Sequence, residues 1–176
     1  MKLSVFILAA VIGVGCNQQS GTTASGSAAS VTNAPQAPAL PTQAQAKLQT
    51  MKLWMGAEEV TAELALTREQ EMTGLMFRTN MDENAGMLFV FPAPYQAAFW
   101  MKNCPLPLSA AYIDPNGRIL EVVALHAQDT NAVVAKTADV QYVLEMNEGW
   151  FKRHNIPDGT LIRTERGSLR ETFFGR

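Results

Sequence analysis

The sequence predicts a mainly β fold with one or two short helices, an antiparallel β-sandwich or partly closed barrel in a single domain. Its apolar runs are short, turn residues separate nearly all of them, and helix signals are confined to two brief stretches. Met51–Met55 reads as a strand turned by Gly56-Ala57, and residues 59–64 alternate polar and apolar, the period of a half-buried strand. Thr67 with Gln70 three residues on is a capping-box pair, so a helix is expected over residues 68–76, burying Met72, Leu75 and Met76. Residues 86–91 form a continuous apolar strand stopped by Pro92-Ala93-Pro94, followed by strands over 97–101 and 106–114. Asp114-Pro115-Asn116-Gly117 is a tight turn, with proline presetting φ at its second position, and makes a hairpin with 118–125. A strand over 140–147, a short helix over 149–155, a turn at Pro157-Asp158-Gly159 and a strand over 160–164 complete the domain.

The 176 residues suffice for one domain with appendages, and the formal net charge of −2 comes from interspersed signs. A nucleic-acid partner, which would need a basic face or stripe, is not expected. Two cysteines, Cys16 and Cys104, are too few for a disulfide framework.

The amino terminus reads as an export signal over residues 1–15. Lys2 precedes an apolar run of about a dozen residues, too short for a helix to cross a ~30 Å hydrocarbon core and suited to the apolar region of a signal peptide. Its end, Gly13-Val14-Gly15-Cys16, resembles a bacterial lipobox, which implies lipidation of Cys16 and anchoring in the membrane of the cell envelope. With Asn17 next, known sorting signals imply the periplasmic face of the outer membrane in a Gram-negative host. From Asn17 to Ala46 no residue is charged or aromatic. Such a segment buries too little apolar surface to offset its ordering entropy, so residues 16–46 are expected to act as a disordered tether reaching roughly 30 Å. The folded domain is then expected over 47–166, with 167–176 a flexible tail.

Within that domain stand Gly74-Leu75-Met76-Phe77-Arg78, Gly86-Met87-Leu88-Phe89-Val90-Phe91 and Phe99-Trp100-Met101-Lys102-Asn103. Pro107-Leu108, Tyr112-Ile113-Asp114, Val143-Leu144-Glu145-Met146-Asn147 and Gly149-Trp150 follow. Together these resemble domain-of-unknown-function family 192, over roughly Thr61 to Ile162. The resemblance implies a compact β-rich fold and brings no settled activity. It differs at two positions: Cys104 stands where the family has threonine, and Ser109 where it has aspartate.

Strand alternation through 99–104 places Trp100, Lys102 and Cys104 on one face, and Phe99, Met101 and Asn103 on the other. An exposed Trp–Lys pair suits an anionic or sugar-like ligand. The competing reading packs Trp100 under a loop and pairs Lys102 with Glu145. Gln141, Val143, Glu145 and Asn147 share one face of their strand, with Tyr142, Leu144 and Met146 on the other. Arg78, Trp100, Lys102, Asn103, Glu145 and Asn147, which stand in the motifs that carry the resemblance, are the ligand-binding candidates, and a shallow groove is expected where Arg78, Trp100, Lys102, Glu145 and Asn147 converge. Cys104 with His126 or His154 would make a nucleophile and base only if they met in space, and both histidines are expected at the surface. Met72, Met76, Met101 and Cys104 suggest soft-metal ligands, but methionine also fills cores, so no metal and no cofactor is expected. The expected function is a tethered, non-enzymatic binding or accessory domain of the envelope for a polar or anionic ligand. The alternatives are an enzyme acting on an envelope polymer or small metabolite and, behind it, a copper binder.

Overall fold

The computed structural model describes residues 40–175, so the signal, Cys16 and most of the expected tether lie outside the described residues. The elements are β1 (Thr50–Met55), β2 (Glu58–Ala65), α1 (Arg68–Thr73), β3 (Ala85–Tyr95), β4 (Ala98–Phe99), β5 (Leu108–Ile113) and β6 (Ile119–Leu125). They continue with β7 (Val133–Val134), β8 (Val140–Asn147), α2 (Trp150–Arg153), β9 (Ile162–Thr164), β10 (Gly167–Ser168) and α3 (Leu169–Phe174).

Eight strands form one sheet in the order β10-β9-β1-β2-β3-β8-β5-β6, and β4 pairs with β7 apart from it. The mainly β, single-domain expectation holds, with three short helices in place of one or two. The sheet is mixed, because β2 and β3 run parallel, Thr61 opposite Ala85 through Ala65 opposite Phe89. A parallel neighbour needs a long crossover, and α1 with the loop after it supplies one. The sheet does not close into a barrel; a single bridge, Arg118 to Leu161, links the start of β6 to the chain entering β9.

Apolar layers cover both sheet faces. Leu88, Leu144, Met146, Ala111, Trp150 and Leu169 belong to one, and Met87, Phe89, Val143, Leu108, Ala110 and Cys104 to the other. The alternation expected for β8 is observed, and burial on both sides explains why β5 and β8 contain scarcely an exposed residue.

The Thr67–Gln70 capping box forms: Gln70 N–H donates to Thr67 Oγ1, and Gln70 Oε1 accepts from Thr67 N–H. The helix ends three residues early, at Gly74, whose φ of 49° sends the chain back over the sheet. Strand β3 runs through Pro92 and Pro94 to Tyr95 rather than stopping, with a register break after Val90 that leaves the prolines exposed.

Two expected boundaries move. Residues 167–174 form β10 and α3 in place of a tail, because Ser168 and Glu171 make a second capping box and Leu169 is 0% exposed. At the other end, Gln45 Nε2 donates to the carbonyls of Gln70 and Gly74, so order begins before Lys47.

Candidate functional site

The strongest candidate is Glu145, in the middle of β8. It lies opposite Met87 of β3 and Ala110 of β5, in the centre of the sheet, and is 4% exposed. Two irregular segments roof this face. In the first, Gly74 passes so close to the sheet that a β-carbon would sit 3.3 Å from Phe89 Cζ. In the second, Cys104 N–H donates to Met101 O (3.0 Å), closing a turn with Asn103 at φ 59°. Phe77 N–H donates to Asn103 O (2.7 Å) and fastens the segments together.

That turn corrects the expected alternation. A strand would have placed Cys104 with Trp100 and Lys102; the turn places it inside with Met101, and both are buried. Trp100 and Lys102 stay outside, Trp100 41% exposed with Lys102 Nζ 5.4 Å from its ring centroid.

Roof and sheet enclose a cavity of about 50 Å³. Glu145, Phe89, Leu108, Met101 and Cys104 are its buried lining, while Trp100, Lys102, Glu71 and Met72 line its more exposed part. No described residue hydrogen-bonds the Glu145 carboxyl. Burial pushes its pKa from an ordinary 4.5 up to about 8, so the acid is largely protonated at neutral pH. Burial first, then the Glu145 charge, raises the Cys104 thiol to about 11 against the opposing pull of the Leu106 backbone. Its Sγ lies 3.6 Å from the carbonyls of Leu75 and Leu106. Glu71 is also raised by burial, partly offset by Arg68.

The remaining candidates do not join this cavity, so the expected single groove is not formed. Arg78 Nη2 donates to Glu63 Oε2 (3.1 Å), which also takes Leu48 N–H, in a neighbouring polar cleft of about 440 Å³ with Lys47 and Asp82. Asn147 holds the loop before β3, its Nδ2 donating to the carbonyls of Met81 and Asp82. Asn103 makes the turn. The Lys102–Glu145 pair is absent. Neither histidine lines the cavity with Cys104: His126 is exposed, and His154 stacks on Trp150 (4.3 Å) with Nδ1 2.9 Å from Glu58 Oε2. The nucleophile–base arrangement is not assembled.

Ser109 Oγ accepts from Gly149 N–H (2.9 Å). Being one residue from Ala110, it faces the other side of the sheet from Glu145, so the exchanged family position does not belong to this cavity. Sequence reasoning missed Glu71, Phe89 and Phe99 as lining residues. Gly74 was the available signal, since a glycine that ends a helix marks where the chain folds back.

Fold and cavity together define a class: a small, mainly β domain whose mixed sheet carries at its centre a buried acid with no hydrogen-bond partner among the described residues. The chain belongs to the DUF192 family, described as "Uncharacterized ACR", whose profile matches residues 51–164. A protein from Sinorhizobium meliloti, described provisionally as a transcription regulator, is similar in structure with TM-score 0.64 and 28% identity, over 68% of this chain and 97% of its own. A Novosphingobium aromaticivorans protein of unknown function is similar with TM-score 0.62 and 28% identity, over 73% of this chain and 94% of its own. No curated protein matches the sequence.

Proposed function

We propose that this chain is an exported binding protein, anchored through lipidated Cys16 and held off the membrane by the segment between that cysteine and the folded domain, whose cleft at Glu145 takes a small cation. One observation carries the binding reading: a carboxyl buried at the centre of the sheet, lining a cavity, with no hydrogen bond to any described residue. Burying a polar group unpaired costs about 1–3 kcal/mol, and a ligand that pairs with it recovers that cost. The charge balance around it favours a cation over the expected anion. Glu145 and Glu71 line the cleft with Phe89, Phe99 and Trp100, whose ring faces attract positive charge. The expected second cation, Arg78, is engaged by Glu63 elsewhere, and Lys102 alone remains, resting on Trp100.

Methylammonium is a suitable probe. Binding at one site should shift the Trp100 indole resonance, and Glu145→Gln should abolish the shift while the chain stays folded. An equal response to acetate or phosphate would overturn the cation reading. Anchoring is tested separately: the mature chain should partition into detergent, and Cys16→Ala should move it to the aqueous phase. Aqueous partitioning of the unchanged chain would sink the anchor.

A second reading, an enzyme of acid–base chemistry, draws on the raised Glu145 carboxyl and the second carboxyl of Glu71 in one cleft. It requires turnover of an envelope polymer or polar metabolite that falls as pH rises through about 8, where the Glu145 acid ionises, and is lost in Glu145→Gln.

A further inference from the structure

Four sulfur-bearing side chains line the cavity of the buried acid. Met72 comes from α1, Met76 from the turn beyond Gly74, and Met101 and Cys104 from the two ends of the 101–104 turn; all four line the cavity of Glu145. The sequence left them dispersed over more than thirty positions, as ordinary core filler. The Cys104 N–H bond to Met101 O brings the last two to the same side, and Gly74 turns Met76 back toward them.

Thioethers and thiols are soft, polarisable donors that select soft ions. Among the described residues no three of His, Cys, Asp and Glu gather at one point, which leaves zinc or a hard divalent cation without a ligand set there. The cavity, about 50 Å³, has room for an ion or one small head group. Its buried lining of Leu75, Phe89 and Leu108 is apolar, and such surroundings accept a charge only when it is compensated. Glu145, more than nine-tenths buried and unpartnered, offers that compensation.

We propose that this cavity is a binding site for a soft monovalent metal ion of the Cu(I) class, held by sulfur from Cys104, Met101 and Met76, with Met72 on the outer side and Glu145 as the charge partner. The proposal rests on the reading of the cleft as a cation site, and names the cation. Binding exchanges one positive charge for another. For each ion taken up, one proton leaves the Cys104–Glu145 pair for solvent, and no electron is transferred. The other charged groups of the cleft are Glu71 and Lys102, with the high-pKa Tyr112 hydroxyl behind Glu145 in the sheet's apolar layer.

Ag(I), which has the same preference for sulfur and no redox chemistry under these conditions, is the probe. Titrating the full chain in detergent at pH 7 should show one equivalent bound, one proton released and Cys104 protected from thiol reagents. Met101→Leu and Met76→Leu conserve volume and should leave folding intact while weakening Ag(I) at least tenfold; Cys104→Ser should weaken it at least a hundredfold. X-ray absorption of the Cu(I)-loaded chain should show sulfur as the principal ligand. Unchanged Ag(I) affinity in Cys104→Ser and Met101→Leu overturns the proposal, as does a site filled only by nitrogen and oxygen. If methylammonium binds and Ag(I) does not, the metal assignment falls and the cation-binding function stands. If neither binds, both fall.

Discussion

Lys102 and Glu145 line one cleft without pairing: the lysine ammonium sits over the Trp100 ring at 5.4 Å, and the glutamate carboxyl has no hydrogen-bond partner among the described residues. An ion pair would have made both groups structural. Their separation leaves the acid as an unmet demand at the centre of the sheet and the lysine at the surface, and four measurements follow from this geometry and its supports.

The first concerns Glu145 and pH. Its folded-state pKa, about 8, lies above its ordinary 4.5, so its contribution to stability is intact below pH 4.5 and is lost as pH rises towards 8. Glu145→Gln cannot ionise. It should match the unchanged protein near pH 4 and exceed it at pH 8 by on the order of a few kcal/mol. Chemical denaturation at pH 4, 6 and 8 measures the divergence; parallel stability curves would refute the buried acid.

Lys102→Met separates a structural lysine from a free one. With no ion pair among the described residues to lose, it should change stability by no more than about 0.5 kcal/mol. A loss of several kcal/mol in denaturant titration would mean that Lys102 compensates Glu145 after all.

Gly86 is where β3 presses on β8. A β-carbon there would lie 2.5 Å from both the Glu145 carbonyl oxygen and Met146 Sδ. The methionine can move, but the carbonyl belongs to the central strand pair. Gly86→Ala should therefore cost about 2–3 kcal/mol, seen as a lowered thermal midpoint.

Removal of residues 167–176 tests the carboxy-terminal boundary. It deletes β10 and Leu169, which is packed in the core with Phe173 beside it. Leu169→Ala alone should cost about 2–4 kcal/mol, and the truncation at least as much. Equal midpoints for the full and truncated chains would restore the flexible tail that the sequence suggested.

Much of the domain was legible locally. The Thr67–Gln70 box, the Asp114–Gly117 turn and the two faces of β8 each depend on residues within a few positions of one another, and each forms as read. Asn116 and Arg118 donate their N–H groups to Asp114 Oδ1, a bond that the spacing alone permits. The misreadings lie where distant segments decide. Period-two alternation assigned Cys104 to the face of Trp100 and Lys102, but the hydrogen bonds that make the 101–104 turn include one across to Phe77 and one from Met101 N–H to Asp129 O. The sequence places a strand end at Pro92-Ala93-Pro94, yet a bulged, exposed stretch of β3 needs no ladder N–H from its prolines.

By itself, then, the sequence determined a mainly β domain, the placement of its turns and caps, the face that Glu145 shares with Val143, and family membership through its ordered motifs. Tertiary structure alone decided that β2 and β3 run parallel, that Arg78 is held by Glu63, and that Glu145 lines one cavity with Cys104 and three methionines without pairing with Lys102. The physical reason is range. Caps and alternation arise from dihedral angles and hydrogen bonds over three or four residues, whereas a cavity exists only where segments far apart in the chain are packed against one another.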